Sequence, residues 1–118
     1  MSDPSPLGKG TRLTAALSRL AGTIDARADR DPGVSYTAKL LARGPLHCGK
    51  KVGEEAVELA LAVAAQDRGE VVSEAGDVLY HLLVALKARG ISLDEVGDAL
   101  AAREARSGLE EKASRPSG

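Results

Sequence analysis

The chain has no tryptophan and no phenylalanine, and its aromatic content of 2% rests on Tyr36 and Tyr80 alone. A core must therefore be built from Ala, Leu, Val and Ile, side chains that suit closely packed helices. The single cysteine, Cys48, excludes an internal disulfide, and without a C-x-x-C or Cys/His cluster there is no zinc or dithiol signature. The expected setting is reducing and cytoplasmic. No apolar run approaches the ~20 residues of a membrane span, and the opening MSDPSPLGKG lacks the apolar stretch of a signal peptide. An excess of one charge is also missing: 16 Lys and Arg stand against 17 Asp and Glu, for a formal net charge of −1. That removes a global electrostatic reason to bind nucleic acid or an anionic membrane, so neither partner is expected. Binding falls to local patches.

What is present is helical patterning over one domain of 118 residues, 43% of them hydrophobic. Such a chain buries a moderate core, which an oligomer would enlarge. Pro4, Pro6 and Gly8-Lys9-Gly10 mark residues 1–10 as a loose tail, leaving a domain over 11–106 and a polar tail over 107–118. From Thr11, Leu13, Leu17, Leu20 and Ile24 recur at helical spacing. Asp31-Pro32-Gly33 reads as a turn, Ser35 caps a short helix through about Arg43, and Gly44-Pro45 interrupts it. A long helix follows from Pro45 to about Gln66. Asp67 with Glu70 makes a capping-box-like start for the next, which ends at Arg89-Gly90. Ser92 and Glu95 form a second box, opening a helix on Leu93, Val96 and Leu100. No segment alternates like a strand, and the fold class is all-α.

The third helix carries an unusual arc. At 100° per residue, Val52, Ala56, Leu59 and Val63 form one apolar stripe and Val57, Leu61 and Ala64 another. Glu54, Glu55 and Glu58 fall between the two, with Lys51 pointing the same way one turn earlier. On the fourth helix Val71, Ala75, Val78, Leu79, Leu82 and Leu86 make a broad apolar surface, while Glu74, Asp77 and His81 share one narrow arc. A short link makes the two helices antiparallel neighbours. Glu58 and Glu74, like Glu55 and Asp77, are symmetric about position 66, inside that link. Four carboxylates are thus expected at one level. They cannot all stay ionised in a dry setting without a counter-charge. Oxygen ligands without cysteine suit a hard cation, Mg²⁺ in particular. An E-E-x-x-E segment alone is also ordinary on a solvated helix; the matched E-x-x-D and the apolar borders argue for a site.

Glu54-Glu55-x-x-Glu58, fifteen intervening residues and Glu74-x-x-Asp77 resemble the signature of the MazG-like all-α nucleotide pyrophosphohydrolases. More narrowly, SYTAKLLARG (35–44), KKVGEEAVELALA (50–62), SEAGDVLYHLLVALKARGISLDEV (73–96) and SGLEEKASR (107–115) resemble the phosphoribosyl-ATP pyrophosphohydrolase family, from about Leu13 onward. Gly76 departs from the pattern, where Ala is usual, without removing a ligand. The resemblance implies Mg²⁺-dependent hydrolysis of the α–β phosphoanhydride of phosphoribosyl-ATP, giving phosphoribosyl-AMP and pyrophosphate in the second step of histidine biosynthesis. It implies a homodimer whose helices complete a four-helix bundle. It carries Glu55, Glu58, Glu74 and Asp77 onto the metal ligands. In many organisms this domain is fused to a cyclohydrolase; the length and single cysteine lead us to expect a monofunctional chain.

The residues leave several roles open. Glu54, grouped with Glu55 and Glu58 as a catalytic candidate, either orients a ligand or the attacking water or is merely solvated. Lys51 either pairs with Glu55 or reaches phosphate. Lys39 and Arg43 make a positive pair suited to triphosphate or ribosyl phosphate, or belong to an ordinary solvated face. Tyr36 either stacks on adenine or packs. His81 reads as an interior histidine rather than a ligand, and His47 and Cys48 have no catalytic assignment. Two other functions remain open: a MazG-like house-cleaning (d)NTP pyrophosphohydrolase, and a non-enzymatic helical dimerisation module.

Overall fold

Five helices make up the computed structural model, which describes residues 6–65 and 67–106: α1 (Thr11–Arg27), α2 (Tyr36–Ala42), α3 (Pro45–Ala65), α4 (Arg68–Ala88) and α5 (Leu93–Glu104). No strand occurs among the described residues, and the fold is all-α. The tail expected over 107–118 lies outside the described residues, as does 1–5 of the N-terminal one; the first helix begins at Thr11.

Local chemistry sets the boundaries. Ser35 has extended backbone angles, and its hydroxyl accepts from the Ala38 N–H at 3.2 Å, starting α2. Gly44 takes φ 91°, a turn that L side chains rarely adopt, and lets Pro45 open α3 as its first residue. Asp67 accepts from the Glu70 N–H at 3.1 Å. α4 closes with a Schellman motif: the N–H of Gly90, at φ 67°, donates to the Lys87 carbonyl at 3.0 Å, and Ile91 N–H donates to Leu86 at 2.9 Å. The full reciprocal box forms at Ser92, whose hydroxyl accepts from Glu95 N–H at 3.1 Å while its own N–H donates to the Glu95 carboxylate at 2.8 Å.

α3 and α4 form an antiparallel hairpin with by far the largest packing contact. α1 and α2 pack against it, and α5 reaches the core through Leu93 at its start. The core is Ile24, Leu40, Cys48, Leu83 and Val84, flanked by Leu17, Leu20, Ala21, Leu41 and Leu93. The expected register is present one layer deeper: Cys48 and Val84, also symmetric about position 66, share that core and are each 1% exposed.

The rotation of α3 differs from expectation. From Cys48 on, its covered residues are Cys48, Lys51, Val52, Glu55, Leu59 and Ala62, a single seam of i, i+3 and i+4 steps. Ala56 and Val63 of the expected stripe turn outward, and Val57, Leu61 and Val63 are each more than half exposed. A helical wheel shows that α3 has two apolar stripes, but only the partner helix decides which line is packed. On α4 the expected apolar surface of Val71, Ala75, Val78, Leu79, Leu82 and Leu86 is half-buried throughout, with Leu83 and Val84 the most buried apolar residues, while Leu13 on α1 stays half exposed.

Candidate functional site

The α3 seam determines where the acidic site forms. Glu55 stands seven residues from both Cys48 and Ala62, the two fully buried positions of α3, so it too faces α4. Its side chain is 20% exposed. Across from it α4 presents Glu74 and Asp77, and one carboxylate oxygen from each of Glu55, Glu74 and Asp77 lies within 4.8 Å of the others. Glu58 is exposed and outside this trio, though its charge reaches Glu74.

Glu74 is the most strained member. Its Oε2 is buried without a hydrogen-bond partner. Its pKa is raised, first by burial, then by the charge of Asp77, the charge of Glu55 and a shared hydrogen bond with it, and the charge of Glu58. An orphaned carboxylate oxygen among like charges is a donor set that fits a hard divalent cation.

Lys51 pairs within α3: its Nζ lies 3.4 Å from Glu54 and 3.9 Å from Glu55. Its pKa is raised, chiefly by the hydrogen bond to Glu54 and then by nearby Tyr36, which keeps the ammonium charged. Glu54 has a side chain 50% exposed and holds Lys51 from the solvent side. Arg43 caps α2 at the edge of the same region. It joins Lys50 and Lys51 in depressing the pKa of His47, after burial as the main cause. Lys39 is exposed one turn earlier and makes no ion pair among the described residues.

Beside the carboxylates lies an aromatic group. Tyr36 and Tyr80 stack with ring centroids 6.3 Å apart, and both meet His81 edge-on, at 6.2 and 5.1 Å. Tyr36 thus packs on one face while remaining 53% exposed. His81 is 7% exposed. Its pKa is lowered by burial, against the opposing charge of Glu55, so it is neutral at pH 7. The Thr37 and Tyr80 hydroxyls are 2.6 Å apart. Next to them opens a polar pocket of about 320 Å³ that also includes Arg27 and Arg30. Neither arginine stood out in the sequence, because each lies in a polar stretch whose partners come from other helices.

The family model described as phosphoribosyl-ATP pyrophosphohydrolase matches residues 17–104. The chain belongs to the phosphoribosyl-ATP pyrophosphohydrolase family. A phosphoribosyl-ATP pyrophosphatase 1 of Rhodopseudomonas palustris is 59% identical over 99 residues, covering 84% of this chain and 92% of the relative. A phosphoribosyl-ATP pyrophosphatase of Paracoccus denitrificans is 53% identical over 115 residues, 98% of this chain and 99% of the relative. One from Bradyrhizobium diazoefficiens, also named phosphoribosyl-ATP pyrophosphatase 1, is 58% identical over 96 residues, 81% and 91% of the two chains. In this member of the phosphoribosyl-ATP pyrophosphohydrolase family, the S-Y-T and D-x-x-Y-H segments meet in space through the Thr37–Tyr80 hydrogen bond.

Proposed function

We propose that this chain hydrolyses the α–β phosphoanhydride of phosphoribosyl-ATP, giving phosphoribosyl-AMP and pyrophosphate in the second step of histidine biosynthesis, with Mg²⁺ as its cofactor. The observation that carries the site is Glu74 Oε2, buried and unpartnered between Glu55 and Asp77. The names of the relatives support the substrate.

Glu55, Glu74 and Asp77 would hold the cation, with Glu58 at the margin. When bound, Mg²⁺ supplies neutralisation of phosphate charge and orientation of water. The remaining work belongs to the chain. Lys51, fixed between Glu54 and Glu55, holds Glu55 in the seam and keeps a positive charge beside the phosphates. Arg43, with Lys39 farther out on α2, extends that positive edge toward the triphosphate. One of the carboxylates Glu54, Glu55 and Glu58 accepts the proton of the attacking water. The neutral, buried His81 backs the site without adding charge.

The apolar side chains Val57, Leu61, Val63 and Val72, all more than half exposed along the α3–α4 hairpin, support a homodimer that covers them in a four-helix bundle. No helix among the described residues is long and apolar enough to cross a membrane, which accords with a cytoplasmic biosynthetic enzyme.

The deciding experiment measures pyrophosphate release from phosphoribosyl-ATP, ATP and dCTP, with Mg²⁺ and with EDTA, for wild type and Glu74→Gln. Mg²⁺-dependent turnover of phosphoribosyl-ATP, lost in the variant, is the expected result. Preference for the free triphosphates would move the chain to house-cleaning chemistry, and release from none of the three would refute an enzymatic role.

A further inference from the structure

The pocket at the end of α1 has the composition of an anion site. Arg27 closes the last turn of α1, and the Arg30 N–H donates to the Arg27 carbonyl at 3.1 Å, a turn that places both residues at the pocket's rim. Neither guanidinium forms an ion pair among the described residues. Of the acids nearest in sequence, Asp29 forms no ion pair among the described residues and lies outside the pocket lining, and Asp31 is occupied locally, its Oδ1 accepting from Gly33 N–H at 2.9 Å. No carboxylate lines the pocket.

Its inner wall is made of hydroxyls. Thr37 and Tyr80 share one proton across 2.6 Å, so the hydroxyl that accepts still has its own proton to donate. Ser35, 7% exposed, uses a lone pair for Ala38 N–H and likewise keeps its O–H. Two arginines without an ion pair among the described residues and spare hydroxyl donors, with no carboxylate in the lining, match a phosphate monoester.

Position adds the second half of the argument. Tyr80 lines the pocket and also touches His81 edge-on, and His81 senses the charges of Glu55 and Asp77. The pocket and the acidic trio are thus two ends of one strip along α4. Phosphoribosyl-ATP is built to match: its triphosphate leaves from the ribose on N9 of adenine, and a second ribose on N1 carries a lone 5′-phosphate.

We propose that Arg27 and Arg30, with the hydroxyls of Ser35 and of the Thr37–Tyr80 pair, bind the 5′-monophosphate of the phosphoribosyl arm and so select phosphoribosyl-ATP over free nucleoside triphosphates. This rests on the function proposed above, with the triphosphate at the acidic trio.

The test uses the full-length chain as wild type, as Arg27→Gln/Arg30→Gln, as the charge-keeping Arg27→Lys/Arg30→Lys, and as Arg12→Gln/Arg19→Gln, which removes the same charge from α1 away from the pocket. Each is assayed with phosphoribosyl-ATP and with ATP under Mg²⁺, and each is titrated calorimetrically with ribose 5-phosphate. Losing both arginines should raise KM for phosphoribosyl-ATP about tenfold or more per arginine, the usual scale of a charge-assisted hydrogen bond. kcat should stay within about threefold, since the arginines bind ground and transition state alike. Any turnover of ATP should be unchanged, the lysine variant should recover part of the loss, and the α1 control should match wild type. Ribose 5-phosphate should bind wild type and not the glutamine variant. Unchanged KM in the glutamine variant, or equal losses on phosphoribosyl-ATP and ATP, overturns the pocket assignment while leaving the enzyme's function standing. Wild type that fails on phosphoribosyl-ATP overturns the function instead, and ribose 5-phosphate binding then decides the pocket alone: absent binding overturns it, and binding lost with the arginines upholds it.

Discussion

The hydroxyls of Thr37 and Tyr80 lie 2.6 Å apart and tie the short helix α2 to the middle of α4. Thr37 is 4% exposed, so only water entering from the adjoining polar pocket can replace a lost partner there. Tyr80→Phe should cost about 1–2 kcal/mol, which for a domain of this size lowers Tm by roughly 4–8 °C per kcal/mol. Thr37→Val should do the same. The double variant should lose less than the two singles together, because it leaves no orphaned hydroxyl. Strictly additive melting shifts would show that the contact contributes no net stability.

That tie shows what sequence reading reaches and what it does not. Ser35, Asp67, Gly90 and the Ser92–Glu95 box are local chemistry, and each marks a helix end visible in the sequence alone. The symmetry of Glu55 and Asp77 about the α3–α4 link was legible too, because antiparallel helices joined by a short link have only one natural register. The rotation of α3 was not. Its packed seam contains Lys51 and Glu55 and faces Glu74, Asp77 and His81, so hydropathy gives least guidance where the packing is tightest. Thr37 and Tyr80, 43 residues apart, carry no periodic signal that joins them.

Glu74 makes the metal-free protein pH-sensitive. Its pKa is raised in the folded chain, so the folded state binds a proton more tightly than the unfolded one. Stability should therefore fall as pH rises from the ordinary glutamate range through the raised value, and the full repulsion should be present above it. Glu74→Gln should flatten that dependence and raise Tm at pH 7 in EDTA. The same variant should lose the rise in Tm that millimolar Mg²⁺ gives wild type. Parallel pH profiles in EDTA for the two proteins would refute the strained carboxylate.

Glu54 and Glu55 are neighbours in sequence with unequal surroundings, their side chains 50% and 20% exposed. Removing a ligand should cost at least as much as removing a group that only orients one, which is typically about 10–100-fold. Glu55→Gln is accordingly expected to lower kcat/KM about a hundredfold or more, and Glu54→Gln about tenfold or less, through a looser Lys51. A larger loss at Glu54 would make it the proton acceptor.

Gly76 sits in the middle of α4, and a Cβ built there meets nothing within 4 Å. Gly76→Ala should stabilise the fold by about 0.5–1 kcal/mol, since glycine loses more backbone freedom in a helix. Urea denaturation reads this as a higher midpoint with an unchanged slope. A lower midpoint would mean that a second chain approaches α4 closely at this position.

Cys48 is 1% exposed, and its thiol donates to the Leu40 carbonyl at 3.3 Å. Burial raises its pKa, which keeps the thiolate scarce as well as shielded. The thiol stands opposite Val84 in the layer next to the acidic site, so a reagent can reach it only if α2, α3 and α4 separate. A disulfide reagent such as DTNB should modify native protein slowly, at a rate set by opening, and react at once in denaturant. Urea well below the midpoint should speed the reaction in step with the loss of stability, and modification should abolish activity because the layer cannot close again. Rapid labelling of a native, active enzyme would show that α2 leaves the α3–α4 hairpin during turnover.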